Sequence, residues 1–568
     1  MATEPKRVTL VTDEILGQVR TGGIGTATTF LAVALARMGH RVELLYVGER
    51  PVARLDGEWT DLYERAGVAI RPLPRSDEQT EPSCFARMRD VEHALLANPP
   101  DVVIVQDLAA PAYTALRKRQ LGLAFERTTF IVYCHGTRQW ITDMAGKVRV
   151  LPGALTVSVL ERSSVELADV AVSPSAYLIE WMKQQGWRLP ERSVVIPYLT
   201  RAAATGEPQP RVAVDSRQVE RLAFFGRLEE RKGLKPFAAG LNALPPQLLA
   251  KVELEFLGAA TPAWPRERIE GLLSETTKGA LRRITFATDL DQPEALERLA
   301  RPGTLAVMPS HGETFSNAVY ECLQHGIPFI ASDAGAPGEL VAAEDQARVL
   351  FEPTAGGVAA ALRRVLASEE PLRPARPAFG AGNAYDAWAE VVELQLPALG
   401  QRGSAALTDD WVVLLDPGEV HRDDLIATLV QAQAASGADI VSCGVRFESG
   451  LQRFFVGDPG GLGILANHYG TAALVRRSLL TEDAERMPRW PLLAGLVLAG
   501  AKIVSIPEPL VEQRHSPDEA SAALLVVKLF EQHLPRSMAS LARLAAGLTA
   551  QVSAPAQASR RRRLFRRR

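Results

Sequence analysis

Sulfur, aromatic rings and long apolar runs are all scarce in this chain. Its four cysteines, Cys84, Cys134, Cys322 and Cys443, lie far apart, with no Cys-x-x-Cys pair. They read as reduced, mostly buried thiols, which excludes a disulfide scaffold and a zinc ribbon. Aromatics are 6% of the residues, too few for an extended base-stacking surface. The apolar run Leu492 to Ala501 stops at Lys502, well short of the ~20 residues a membrane span needs. The N-terminus passes directly from Met-Ala-Thr-Glu-Pro-Lys into the strand-like run Val8 to Val11, without the basic start and cleavage site of a signal peptide. A cytoplasmic location is expected.

What is present is an ordinary globular composition, 47% hydrophobic and 23% charged over 568 residues. Domains usually hold ~100–200 residues, so three or four are expected. The net charge of −2 hides an asymmetry. Seven of the 64 lysines and arginines lie in residues 560–568, which leaves 57 basic residues against 66 acidic ones elsewhere. An acidic body argues against nucleic acid as a partner. The tail Arg560–Arg568 reads either as a solvated terminus or as a tether to an anionic inner membrane surface, where each arginine contributes ~1 kcal/mol.

Short β-rich segments alternate with helical ones through the first 200 residues. Arg7–Thr12 predicts a strand, Thr21–Gly25 a glycine loop, Thr26–Met38 a helix stopped by Gly39, and Arg41–Val47 the next buried strand. Asp101–Gln106, Thr129–Cys134, Val170–Ser173 and Ser193–Ile196 continue the series. The polar stretch 201–218 interrupts it, and strands resume at Arg221–Phe225, Val252–Leu257, Arg283–Ala287, Leu305–Met308 and Pro328–Ala331. Buried strands interleaved with helices predict two parallel α/β sheets, with ligands at their carboxyl ends in the cleft between them. Residues 1–200 and 201–382 form these domains, and a helix within 383–400 follows a Pro- and Gly-rich linker. A third α/β unit spans 404–517, and 518–568 is a helical segment ending in the basic tail.

Three constellations carry chemistry. Gly22, Gly23 and Gly25 follow the first strand, where missing side chains permit close approach of a phosphate or sugar. Phe225-Gly226-Arg227-Leu228-Glu229-Glu230-Arg231-Lys232-Gly233 places Arg227 and Lys232 on a loop at the carboxyl edge of the second sheet, suited to phosphate oxygens. Pro309 to Glu321 runs from a strand through a loop into a helix ending at Gly326. Glu313 lies in that loop, Ser316 or Asn317 caps the helix, and Glu321 projects from its first turns. The helix start favours a diphosphate. One carboxylate suits sugar hydroxyls and the other a ribose diol.

Gly-Gly-Ile-Gly, Gly-Arg-Leu-x-x-x-Lys-Gly, and Glu-x7-Glu followed by His325-Gly326-Ile327-Pro328 together resemble a family-four retaining glycosyltransferase of GT-B fold, over about residues 7–400. The resemblance implies a nucleotide-sugar donor and a glycan or lipid-linked acceptor, with no cofactor and no metal. It implies that Arg227 and Lys232 hold the diphosphate, that Glu321 holds the ribose, and that Glu313 and His135 (in Tyr133-Cys134-His135-Gly136-Thr137) face the sugar. Helix Ala384–Leu396 would cross back to the first domain. A GT-B epimerase or phosphorylase, and a non-catalytic sugar-binding scaffold, are the competing readings.

Asp409 to Glu419, Gly437 to Val441 and Tyr469 to Ser478 resemble part of a family-two, GT-A-type enzyme. The second metal-binding aspartate of that family is here Gly418, and its acidic base segment is Pro488-Arg489-Trp490. The resemblance therefore implies a degenerate, non-catalytic module that binds acceptor, a partner or the preceding two-domain unit.

Overall fold

The computed structural model describes residues 4–514 except 18–21, 50–54, 56, 148–151, 208–217, 395–406, 417–418, 460–461, 465, 483 and 485–486, and it adds 523 and 525–527. The Arg560–Arg568 tail and most of the helix expected over 518–551 lie outside the described residues. Among the described residues no helix is long and apolar enough to cross a membrane.

The first lobe is a seven-stranded sheet in the order β3 (Ala69–Pro72), β2 (Arg41–Tyr46), β1 (Arg7–Thr12), β5 (Val102–Gln106), β6 (Thr129–Tyr133), β7 (Val170–Ser173) and β8 (Arg192–Val195). Every neighbouring pair is parallel. The central strands are buried along their length, as a sheet covered by helices on both faces requires. The second lobe repeats the plan with six parallel strands: β11 (Arg283–Ala287), β10 (Glu253–Leu257), β9 (Arg221–Phe225), β12 (Thr304–Met308), β13 (Phe329–Ser332) and β14 (Leu350–Phe351). These are the two Rossmann-like sheets of the GT-B fold. Most strand boundaries match the sequence reading to within a residue.

The glycine segment is the clearest local departure. Gly23 already opens the helix Gly23–Arg37, and Gly22 is its N-cap, so Gly23 and Gly25 belong to a helical first turn and not to a loop. At the other end of the second lobe, helix Ala381–Glu393 crosses to the first. Its Trp388 is fully buried, with its ring 5.0 Å from Tyr133. Lys6 Nζ donates to the Val392 carbonyl at 2.6 Å, and His40 lies 3.6 Å from Glu393. One apolar cluster runs through both lobes, from Leu31 and Tyr133 to Val319, Tyr320 and Trp388.

The third unit is not freestanding. Its mixed sheet runs β15 (Trp411–Leu414), β19 (Ala473–Arg476), β17 (Ile440–Phe447), β18 (Gln452–Arg453) and then β4 (Thr80–Glu81), a strand of the first lobe; β20 (Ile503–Gln513) pairs with β17 and with β16 (Val420–His421). Next to this junction Phe454 stacks on Phe85, with ring centroids 5.1 Å apart. Arg453 pairs with Glu81 at 2.6 Å, and Arg89 donates to the Pro507 carbonyl at 3.2 Å. Lys118, on a first-lobe helix, stands 2.7 Å from both the fully buried Glu92 and Glu508 of β20. Of the roles the sequence reading left open for the third unit, attachment to the preceding unit is seen here, but no periodicity marks a two-residue strand such as Thr80–Glu81, so the shared sheet itself was not foreseen.

Candidate active site

Parallel strands β9 and β12 are neighbours, so the loops at their carboxyl ends meet. After β9 the chain forms a single 3-10 turn, Glu230–Lys232, and then reverses at Gly233 before helix Leu234–Asn242. Gly233 has φ +82°, and a Cβ there would sit 1.8 Å from the Pro309 carbonyl oxygen. Only glycine lets the two loops come this close. The turn drives Lys232 inward, where its Nζ stands 2.5 Å from Glu313 Oε1. Arg227 stays more than half exposed, 3.8 Å from Glu229.

Glu313 is buried in the loop after β12. Burial alone would raise its carboxyl, but Lys232 and Arg231 beside it pull it down to about 2. Burial in turn lowers the Lys232 ammonium, against the opposing pull of Glu313. Arg231, which the sequence reading gave no role, is 9% exposed. It donates to the Gly312 carbonyl at 3.0 Å, to Glu313 Oε2 at 3.4 Å and to Glu229 Oε1 at 3.1 Å. The run Glu229-Glu230-Arg231-Lys232 sets two acidic beside two basic residues, as a solvated surface does, which is why the pattern did not single Arg231 out.

Ser316 caps helix Asn317–His325, its hydroxyl accepting from the Val319 N–H at 3.4 Å. It holds φ +68°, costly for a residue with a Cβ and typical of strained functional loops. One turn on, Glu321 accepts from Gln292 Nε2, and burial pushes its carboxyl up to about 7. Glu321 opens on a cavity of about 660 Å³ between the lobes, walled by Phe30, Trp59 and Tyr198 on one side and by Leu296 and Asn317 on the other.

From the first lobe, Gly23 meets Asn317 so closely that a Cβ there would lie 2.7 Å from the Asn317 amide nitrogen. The Gly22 and Gly25 N–H groups donate to Glu14 Oε2 at 2.8 and 3.3 Å. An incoming phosphate would have to displace that carboxylate. His135 follows β6 and sits with Nδ1 2.7 Å from the Tyr198 hydroxyl. Its N–H and that of Gly136 donate to the two oxygens of Asp107 at 2.9 and 3.0 Å, and Thr314 of the second lobe donates to its carbonyl at 2.9 Å. Ser175 donates to the Thr314 carbonyl at 2.6 Å, and Glu339 accepts from the Ala176 and Tyr177 N–H groups at 2.8 and 2.7 Å. The lobes are thus closed on one another, with Glu313, Lys232, His135, Asn317 and Glu321 around the seam. Arg227 lies at its exposed margin.

Burial lowers the His135 imidazole to about 3 and that of His468, in the third unit, to about 4. Unfolded histidine titrates near ~6.5, so both rings fold neutral and their stability contribution is lost as pH falls below that value. Between pH 7 and pH 5 these two rings pull Tm down, against the opposite slope of the buried Glu321 carboxyl, so the reading is the difference between wild type and variant in thermal unfolding. His135→Gln and His468→Gln should each lose less stability than the wild type over that interval, and an unchanged slope in both variants would contradict the buried, neutral assignment.

Residues 22–198 match the family model described as Glycosyl transferase 4-like domain, and residues 219–368 match the model Glycosyl transferases group 1. These matches place the two lobes in a GT-B glycosyltransferase family. Glycogen synthase of Mycobacterium tuberculosis is 33% identical over 162 residues, covering 28% of this chain. The chain matches 36% of that relative's length. Among solved structures, sucrose-phosphate synthase from Thermosynechococcus elongatus aligns with TM-score 0.47 and 18% identity over 68% of this chain and 94% of that one. WaaG, a glycosyltransferase involved in lipopolysaccharide biosynthesis, aligns with TM-score 0.45 and 15% identity over 69% and 96%.

Proposed function

We propose that the protein is a retaining, family-four glycosyltransferase that moves a sugar from a nucleoside-diphosphate donor to a glycan or lipid-linked acceptor. The observation that carries this reading is the buried Lys232–Glu313 pair at the carboxyl ends of β9 and β12, closed over by His135 of the opposite lobe. Lys232, Arg227 and the N–H groups behind Ser316 and Asn317 take the diphosphate. They stabilise the charge that develops as it leaves, the service a metal ion performs in other transferases. Glu321 holds the ribose hydroxyls, Glu313 and His135 face the transferred sugar, and the glycine turn Gly22–Gly25 approaches donor once Glu14 yields. Glu313 stays ionised beside its cations and acts by orienting hydroxyls. Closure excludes the water that would otherwise hydrolyse the donor. The likeness to glycogen synthase supports a hexosyl donor and a glycan acceptor. The third unit is a non-catalytic, GT-A-derived module, and the Arg560–Arg568 tail gives peripheral attachment at the inner membrane face.

A thermal-shift screen of UDP-, GDP-, ADP- and dTDP-sugars tests the donor assignment. A ligand at 100 times its Kd stabilises by about 2.7 kcal/mol. The hit is then incubated with glycan acceptors and the product read by mass. Altered sugar released without a new linkage would favour epimerase chemistry instead.

Glu321 adds a pH signature. Burial raises its carboxyl to about 7, so its stability contribution is present at low pH and lost as pH rises through that value. Ribose hydroxyls stabilise the anion, so donor binding near pH 6.5 should release a proton. Calorimetry in buffers of different ionisation enthalpy would detect this, and Glu321→Gln should abolish it. Release that persists in Glu321→Gln would assign the proton elsewhere.

A further inference from the structure

Building on the donor-site reading, we infer that Arg231 is a positioning residue: it keeps the Glu313 carboxylate paired when Lys232 turns to the donor diphosphate. The argument starts from a conflict in the empty site. Lys232 is held by Glu313 at 2.5 Å, yet it is also the buried cation best placed for phosphate. A buried carboxylate stripped of its counter-charge is costly, so Lys232 could not leave Glu313 unless a second cation stayed behind.

Arg231 is built to stay. Its guanidinium is fixed at once by the Gly312 carbonyl at 3.0 Å, Glu229 at 3.1 Å and Glu313 Oε2 at 3.4 Å. From the opposite lobe the Trp140 ring lies over it, 5.6 Å from Cζ. The fork is therefore turned to Glu313 by a planar geometry that a lysine would not reproduce. Lys232, a flexible stem with three rotating donors, is the mobile member. Charge counting agrees. Arg227, Arg231 and Lys232 face Glu229 and Glu313, three cations against two carboxylates, so the cluster is net positive and receptive to an anion. Without Arg231 it is neutral. The Trp140 contact exists only while the lobes are closed, so the exchange is favoured in the closed state.

The test is calorimetric titration of the full-length protein with UDP, GDP, ADP and dTDP in turn, alongside steady-state kinetics with the matching nucleotide sugar. Arg231→Gln keeps a donor for Gly312 but loses the charge. It should weaken diphosphate binding about tenfold or more, raise KM for donor more than it lowers kcat, and move the acidic limb of the kcat/KM profile to higher pH. Arg231→Lys should recover part of the binding. Glu229→Gln, made in an Arg227→Ala background because Glu229 also lies 3.8 Å from Arg227, frees Arg231 from its second carboxylate and should tighten diphosphate binding several-fold over Arg227→Ala alone, and it decides the matter if Arg231→Gln does not fold. The inference is overturned if Arg231→Gln binds like the wild type with an unmoved profile, or if Glu229→Gln fails to tighten binding in that background. If Lys232→Ala also binds diphosphate normally, the donor-site reading itself falls. Loss in Lys232→Ala with no change in the Arg231 variants sinks this inference alone.

Discussion

Lys232→Ala should lower kcat by about 100- to 1,000-fold, the range seen when one preorganised donor is removed from a developing anion. The variant should still fold, because Arg231 remains 3.4 Å from Glu313 and the carboxylate is not orphaned. Tm within a few degrees of the wild type, together with near-lost turnover, is the expected pair of readings. Near-normal turnover with nucleotide sugar would remove the ammonium from the diphosphate site. The contrast with Arg227→Ala is informative. Arg227 is exposed and only 3.8 Å from Glu229, so its truncation should raise donor KM more than it lowers kcat.

The second large effect is on stability. Lys118→Met leaves Glu92, at 0% exposure, without the ammonium 2.7 Å away, and it also removes a partner of Glu508. Breaking a buried pair from one side costs about 3–5 kcal/mol. For a unit of this size that corresponds to a fall in Tm of roughly 10 °C. Glu92→Leu combined with Lys118→Met should restore most of the loss, since an apolar pair of similar volume carries no stranded charge. Urea unfolding followed by circular dichroism would measure both variants. A single substitution within 1 kcal/mol of the wild type would show that the buried Glu92 does not depend on this ammonium.

Legibility of the fold followed the physics that produces each element. Parallel strands such as Val170–Ser173, buried throughout, and Arg221–Phe225, buried at its three central residues, have short apolar runs, and the sequence reading located both to the residue. The cap was narrowed to Ser316 or Asn317 because a polar side chain, a helix start and a glycine stop fall in one short motif, and Ser316 is the one that caps. What stayed hidden depends on partners distant in the chain. Glu14 occupying the Gly22 and Gly25 amides, Glu339 receiving the Ala176 and Tyr177 N–H groups, and Arg231 under Trp140 are all decided by how lobes and loops meet. None leaves a local period. Asp107 was overlooked for the same reason: its two oxygens organise the His135-Gly136 backbone from a neighbouring strand.

The sheet shared through Thr80–Glu81 alters how the cleft must open. With Glu81, Phe85, Arg89 and Lys118 all fastened to the third unit, that unit and the first lobe form one heavy body. Opening the cleft therefore means moving the second lobe against this joint body. A probe near β18 should hold its distance to β1, and its distance to β9 should be the one that reports opening.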